Sequence, residues 1–300
     1  MPSPEPAFSE QFFQSRDGLR LYYRQFGRQF GRQFGRRADT AGRARLSVLC
    51  LPGLTRNSRD FEVLAQHLAQ GHHVVTPDLR GRGRSAYDAN WANYNPAKYV
   101  EDAFQLLEEL GIERCAIIGT SLGGLMGMIM AALQPQRVAG LVVNDIGPEL
   151  DPAGVARIRS YAGKLPPVTS WREAGAQAKQ VHASALPDLD DEGWLDFARR
   201  TYRQENGGFR PDVDPNIART FGDPSSSAPD LWPFFEKLAS TPLLTIRGEL
   251  SDLFGAGTLQ RMQQIKPDMQ TLVVANRGHA PTLAEPECLA AIGKFLDSLS

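Results

Sequence analysis

Ser121 stands in Gly119-Thr120-Ser121-Leu122-Gly123-Gly124, after the apolar run Cys115-Ala116-Ile117-Ile118 and before an apolar stretch over residues 125–133. A buried strand, a serine between glycines, and then a helix is the order that holds a hydroxyl on a sharp strand-to-helix turn. Small neighbours let the backbone double back, and the start of the helix leaves N–H groups unpaired beside the serine. The chemistry this allows is attack on a carbonyl carbon.

A serine hydroxyl needs a base to take its proton, and the base needs a partner that holds its tautomer. The chain has five histidines. His67 falls in a predicted helix, His72 and His73 open a predicted strand, and His182 lies in a region without a strand pattern. His279 lies in Asn276-Arg277-Gly278-His279-Ala280-Pro281, a loop after the last predicted strand. In parallel sheets reactive groups collect at the carboxyl edge of the strands, so His279 is the expected base. Asp252, after the strand predicted over residues 243–247, is the expected orienting acid. Glu249 nearby reads as a solvated loop carboxylate. Asp145, after the strand predicted over residues 138–143, is the alternative acid; its other reading is a side chain that caps a loop.

These residues need a scaffold, and the hydrophobic pattern supplies one. Short apolar runs predict strands at residues 46–51, 73–76, 115–118, 138–143, 243–247 and 271–274. Helical patterns lie at 60–69, 96–110, 122–133, 257–264 and 283–299. Strands alternating with helices of this length predict an α/β fold: a mostly parallel central sheet with helices on both faces. The rhythm stops between about 148 and 237, where no strand is expected and several helices are. We therefore expect a core domain from residues 1–147 and 238–300, interrupted by a helical cap from 148–237. Trp171, Trp194, Tyr202 and Trp232 in that insertion are candidates to line a substrate pocket, alongside the alternative that they pack it against the core.

The order Ser, Asp, His along the chain is that of the α/β-hydrolases. The chain resembles that fold family, in its compact esterase and lactonase branch, over nearly all of the sheet domain. Leu51-Pro52-Gly53-Leu54 resembles the family's His-Gly-x segment after the third strand, with Pro52 in place of the histidine. Asp78-Leu79-Arg80-Gly81-Arg82-Gly83-Arg84-Ser85 resembles its Asp-x-Arg-Gly-x-Gly-x-Ser loop, and residues 119–123 resemble its nucleophile elbow. Asp252 and His279 match the family's acid and base positions. The resemblance implies hydrolysis of small to medium esters or lactones through an acyl-enzyme on Ser121. It also implies an oxyanion hole made by the backbone N–H groups of Leu54 and Leu122, where each fixed donor is worth about 3 kcal/mol. Asp78 and Arg80 are expected to brace loops beneath the site. A carbon–carbon bond hydrolase of ring-opened aromatics and an acyltransferase share this triad. The haloalkane dehalogenases and epoxide hydrolases of the family place Asp at the elbow, and Ser121 argues against both. A hydrolase-fold receptor for a small ligand is the non-enzymatic alternative.

Composition sets outer limits. The formal net charge of −1 and the ordinary apolar content offer no global field for nucleic acid or an anionic membrane. No window is long and apolar enough for a membrane helix. No cofactor motif and no metal-ligand spacing is apparent, so neither is expected. Three cysteines at wide spacing read as buried free thiols, which suits a reducing cytoplasm. The tetrapeptide Arg-Gln-Phe-Gly occurs three times in succession over residues 24–35 and reads as a lengthened loop rather than a structural repeat.

Overall fold

The structure is a computed structural model that describes residues 8–27, 46–221 and 230–299. Most of the Arg-Gln-Phe-Gly repeat, residues 28–35, lies outside the described residues. Eight strands form one sheet. They are β1 (Phe8–Gln14), β2 (Arg20–Phe26), β3 (Ser47–Leu51), β4 (His73–Pro77), β5 (Cys115–Thr120), β6 (Val138–Asn144), β9 (Leu243–Gly248) and β10 (Gln270–Val274). Their spatial order is β1-β2-β4-β3-β5-β6-β9-β10. The β1–β2 and β2–β4 pairs are antiparallel, and the remaining pairs are parallel.

The apolar runs become strands because both faces of the sheet are covered. Along β3, Leu49 and Leu51 face one helical layer while Val48 and Cys50 face the other; along β5, Ile117 and Ile118 divide in the same way. The first layer contains α2 (Pro96–Glu109), α3 (Leu122–Leu133) and α8 (Ala256–Ile265); the second contains α1 (Glu62–Leu68) and α9 (Pro286–Asp297). Helix α3 is apolar all round and buries Met126, Met130 and Ala131 at the centre of the first layer. Each large side chain buried there contributes about 2 kcal/mol. Asn95 caps α2 by accepting the Lys98 N–H at 3.0 Å, with Pro96 in the first turn. Cys50, Cys115 and Cys288 are buried free thiols.

Between β6 and β9 the chain builds α4 (Pro152–Tyr161), α5 (Trp171–His182), α6 (Asp191–Thr201) and α7 (Trp232–Glu236). It also builds a hairpin that the sequence reading did not expect, β7 (Tyr202–Glu205) with β8 (Gly208–Pro211). Its turn is Asn206-Gly207, both at positive φ, which is the strongest short-range hairpin signal. Helices α5 and α6 and the hairpin share a small apolar cluster around Ala178, Trp194, Phe197 and Phe209. Helix α7 instead places Trp232 and Phe235 in the main core beside α3.

Backbone hydrogen bonds tie this insertion to the sheet domain. Asp214 N–H donates to Gly81 O at 2.7 Å, Gly83 N–H to Asp212 O at 3.1 Å, and Gly278 N–H to Ala185 O at 2.9 Å. The Asn57 amide donates to Arg200 O at 2.9 Å, and Arg59 pairs with Asp212. Among the described residues no helix is long and apolar enough to cross a membrane.

One buried histidine gives the fold a pH dependence. His73, at the start of β4, is buried with its Nε2 2.8 Å from Gln25 Oε1. Burial pushes its imidazole down from 6.5 to about 4. The unfolded chain therefore takes up this proton first as pH falls. We expect its contribution to stability to be intact above about pH 6.5 and to be lost progressively toward pH 4, by up to ~3 kcal/mol. In urea melts across that range, wild type should lose stability relative to His73→Gln as pH falls. Parallel curves would show that His73 does not titrate with unfolding.

Candidate active site

Strand β5 ends at Thr120 and α3 begins at Leu122, so Ser121 carries the whole reversal of the chain at φ 53° and ψ −116°. Positive φ is uncommon for a residue with a Cβ. The turn is enforced by close approach on both sides. A Cβ at Gly123 would stand 1.9 Å from Leu51 O, and one at Gly119 would stand 2.2 Å from the Gly123 carbonyl. Ser121 N–H donates to Asn144 O at 2.9 Å, which locks the turn to the end of β6.

His279 reaches this serine from the loop after β10. Its Nε2 lies 2.9 Å from Ser121 Oγ, and its Nδ1 lies 2.8 Å from Asp145 Oδ2. The Asn144 amide donates to Pro281 O at 2.9 Å and to Thr120 Oγ1 at 3.0 Å, tying the histidine loop to β6 and to the elbow. A carboxylate can only accept, so Nδ1 carries the hydrogen and Nε2 is left to accept from the serine hydroxyl.

The acid beside His279 is therefore Asp145, and the expectation that Asp252 fills this place is corrected. Asp145 directly follows β6 at φ 56° and is fully buried. Its Oδ1 accepts the Gly248 N–H at 2.7 Å, and its Oδ2 accepts the Ser251 hydroxyl at 2.6 Å as well as His279. Asp252 is turned away and gripped by Arg157 of α4, Nε to Oδ2 at 2.5 Å and Nη2 to Oδ1 at 2.8 Å. Those bonds hold its carboxyl below the ordinary value against the opposing effect of burial, and the nearby His279 contributes a smaller lowering. Glu249 accepts the Asn276 N–H at 3.0 Å.

Leu54 and Leu122 are the two residues expected to supply backbone donors to an oxyanion. Leu122 opens α3, where its N–H has no helical partner. Leu54 lines the cavity in front of Ser121. Its carbonyl is held from behind by Arg82 Nε at 2.9 Å, and Arg82 Nη1 also bonds Tyr99 Oη at 2.9 Å and Arg80 O at 2.6 Å. Asp78 and Arg80 brace the loops as expected. Asp78 accepts the N–H groups of Ser58 at 2.7 Å and Arg84 at 2.8 Å. Arg80 is fully buried and pairs with Asp17, Asp88 and Asp102.

A cavity of about 600 Å³ opens onto Ser121 and His279. Its far wall comes from the insertion, through Ile158, Tyr161, His182, Leu186 and Phe197. A smaller cavity of about 120 Å³ adjoins it and shares Arg56, Tyr161, His182 and Phe197. Of the aromatic residues singled out from sequence, Tyr202 lines only this smaller cavity. The other three line neither. Trp194 packs on Phe197, Trp171 packs on Phe209, and Trp232 lies beneath the Arg261 guanidinium in the main core. Bulk and aromaticity signalled burial in these cases, and burial was met by packing. Tyr161 ends α4, His182 ends α5 and Phe197 lies within α6, and the sequence pattern carries no marker of which face of these helices looks inward. Among the described residues no group of His, Cys, Asp or Glu is arranged to hold a metal ion.

The sequence profile of the α/β hydrolase fold matches residues 47–286. The chain is 33% identical over 257 residues to a 3-hydroxybutyrate-oligomer hydrolase of Cupriavidus necator, covering 83% of this chain and 87% of that protein. It is 27% identical over 256 residues to a 2-(acetamidomethylene)succinate hydrolase of Mesorhizobium japonicum, covering 84% and 88%. Its structure superposes with a TM-score of 0.87 on an alpha/beta hydrolase from Novosphingobium aromaticivorans, at 41% identity over 97% of this chain and 98% of that one. With the parallel sheet and the serine turn at its carboxyl edge, these matches establish that the chain belongs to the α/β-hydrolase fold family.

Proposed function

We propose that this α/β hydrolase is a serine hydrolase that cleaves small to medium carboxylic esters or lactones, with Ser121 as nucleophile, His279 as base and Asp145 as orienting acid. The observation that carries the reading is the unbroken chain of hydrogen bonds from Ser121 Oγ through His279 to the buried Asp145 carboxylate. His279 takes the serine proton as Oγ adds to the carbonyl carbon. The imidazolium that forms sits against the Asp145 charge, and the N–H groups of Leu54 and Leu122 receive the developing oxyanion. His279 then protonates the departing alkoxide, leaving an acyl-enzyme. Water, deprotonated by the same imidazole, attacks the acyl carbon and frees the acid.

Residues 148–237 act as a cap that encloses the acyl group. An ester substrate is favoured over a carbon–carbon bond because the relative in Cupriavidus necator is named for oligomers of a hydroxy acid, whose linkages are esters. The substrate is a small molecule, and the protein works in the cytoplasm.

Two measurements test this. Ser121→Ala should lower kcat on 4-nitrophenyl acetate by about 10⁴-fold or more without changing the far-UV circular dichroism spectrum. Turnover near the wild-type rate would remove serine from the mechanism. Exchanging each acid in turn separates the two carboxylates. Asp145→Asn should cost about 10³- to 10⁴-fold in kcat, while Asp252→Asn stays within about tenfold of wild type. The reverse pattern would return the orienting role to Asp252.

A further inference from the structure

Tyr161 and His182 belong to the active-site cavity, yet the mechanism uses neither. Tyr161 is the last residue of α4 and His182 the last of α5, and both line the large cavity together with Ser121. The two rings meet edge-on with centres 5.3 Å apart, and the His182 ring packs on Phe197 at 5.1 Å. This packing leaves the polar atoms over. Neither ring nitrogen of His182 meets a hydrogen-bond partner among the described residues, and neither is sealed from the cavity. The Tyr161 oxygen lies against the Arg157 guanidinium. A guanidinium only donates, so the Tyr161 hydrogen is directed elsewhere. No acceptor for it stands among the described residues.

His182 is positioned through its backbone rather than through its ring nitrogens. His182 O accepts the Ala185 N–H at 2.9 Å, and Ala185 O accepts the Gly278 N–H at 2.9 Å. The turn after α5 is thus tied to the loop that carries His279. Burial, with Arg56, Arg157 and His279 nearby, pushes the His182 imidazole well below its ordinary value. The ring is therefore neutral, with one nitrogen donating and the other accepting. The arginines around it are already answered by carboxylates. Arg56 forks onto Asp60 at 2.6 and 2.7 Å, and Arg157 forks onto Asp252 at 2.5 and 2.8 Å. A neutral acceptor beside a neutral donor suits a hydroxyl group, which accepts one hydrogen bond and donates another. A carbonyl can only accept, and an alkyl group leaves both protein atoms unpaired.

We propose that Tyr161 and His182 form a hydroxyl-binding subsite, so that the preferred esters carry an alcohol on the acyl chain, a few carbons from the scissile carbonyl. The Tyr161 hydroxyl donates to the substrate oxygen, and the accepting ring nitrogen of His182 receives the substrate's own hydrogen. The proposal rests on the ester-hydrolase reading, with the cap over the acyl group, and narrows it to hydroxyacyl esters. Arg157 acts as a positioning residue, because it occupies the Tyr161 oxygen and so directs its hydrogen.

Binding to the Ser121→Ala protein tests the subsite without turnover. Two ester pairs each exchange one hydroxyl for a methyl group. They are methyl 3-hydroxybutanoate against methyl 3-methylbutanoate, and methyl 6-hydroxyhexanoate against methyl heptanoate. Titrated calorimetrically at pH 7.5, the alcohol should bind about tenfold more tightly than its methyl isostere, or better, in at least one pair. A wall without partners gives the opposite order, since burying an unpaired hydroxyl is costly. Tyr161→Phe and His182→Phe keep an aromatic ring and remove the polar atoms, and each should bring that ratio close to one. Equal or weaker binding of the alcohol in both pairs would overturn the proposal, as would a preference that survives both substitutions. The comparison within a pair needs neither ring variant, so it decides the matter even if one of them fails to fold. On the wild-type protein the same preference should appear in kcat/KM. Hydrolysis of both members of each pair at similar rates sinks the subsite and keeps the hydrolase reading. Selective binding by Ser121→Ala with no hydrolysis of any of these esters by wild type does the opposite.

Discussion

A carboxylate with no access to water must find its donors in the protein, and Asp145 finds three. The Gly248 N–H, the Ser251 hydroxyl and the His279 ring arrive from the end of β9, from the turn after it and from the loop after β10. An ion of this size would be too costly to bury without them. The arrangement therefore works in both directions. The charge requires three separate segments to converge on the carboxyl edge of β6, and their convergence fixes the imidazole that faces Ser121. Removing any one donor leaves a buried charge short of a partner, which is how a hydrogen bond far from the serine hydroxyl can govern its environment.

The backbone at the serine is under a matching constraint from the other side. Gly123 passes so close to Leu51 O that a methyl group there has no room, and Ser121 is held at positive φ between two regular elements. Below this, Arg80 sits without solvent among Asp17, Asp88 and Asp102, and Arg82 reaches from the same loop to the carbonyl of Leu54. The glycine- and arginine-rich loop of residues 78–85 is thus a buried electrostatic frame for the segment that carries Leu54. Its glycines follow the same logic, since a Cβ at Gly83 would fall 2.1 Å from the Asp78 carboxylate.

Much of this architecture was legible in the residues. The parallel sheet followed from apolar runs alternating with helical patterns, because strands covered on both faces are apolar throughout. The serine turn followed from Gly119, Ser121 and Gly123 in their context. The identity of the acid was not legible. Asp145 and Asp252 follow neighbouring strands, β6 and β9, and both reach the same sheet edge near His279. Which one lies beneath the imidazole depends on a positive φ at Asp145 and on donors supplied by Gly248 and Ser251. It depends equally on Arg157, 95 positions from Asp252 in the chain, which draws that carboxylate away. No local spacing encodes such a choice. The hairpin at Asn206-Gly207 is a different case, since its signal was present and short. The tryptophans show a third kind of limit, for hydrophobic bulk marks a residue as inward but does not say whether it meets protein or a ligand.

Tyr161, His182 and Phe197 line both of the adjoining cavities, together with Thr55 and Arg56. Side-chain torsions change without any movement of the helices that carry them. A rotation of one ring would merge roughly 600 Å³ with a further 120 Å³ while every helix stayed in place. Guests of different reach would then be sorted by which rotamers they can trap.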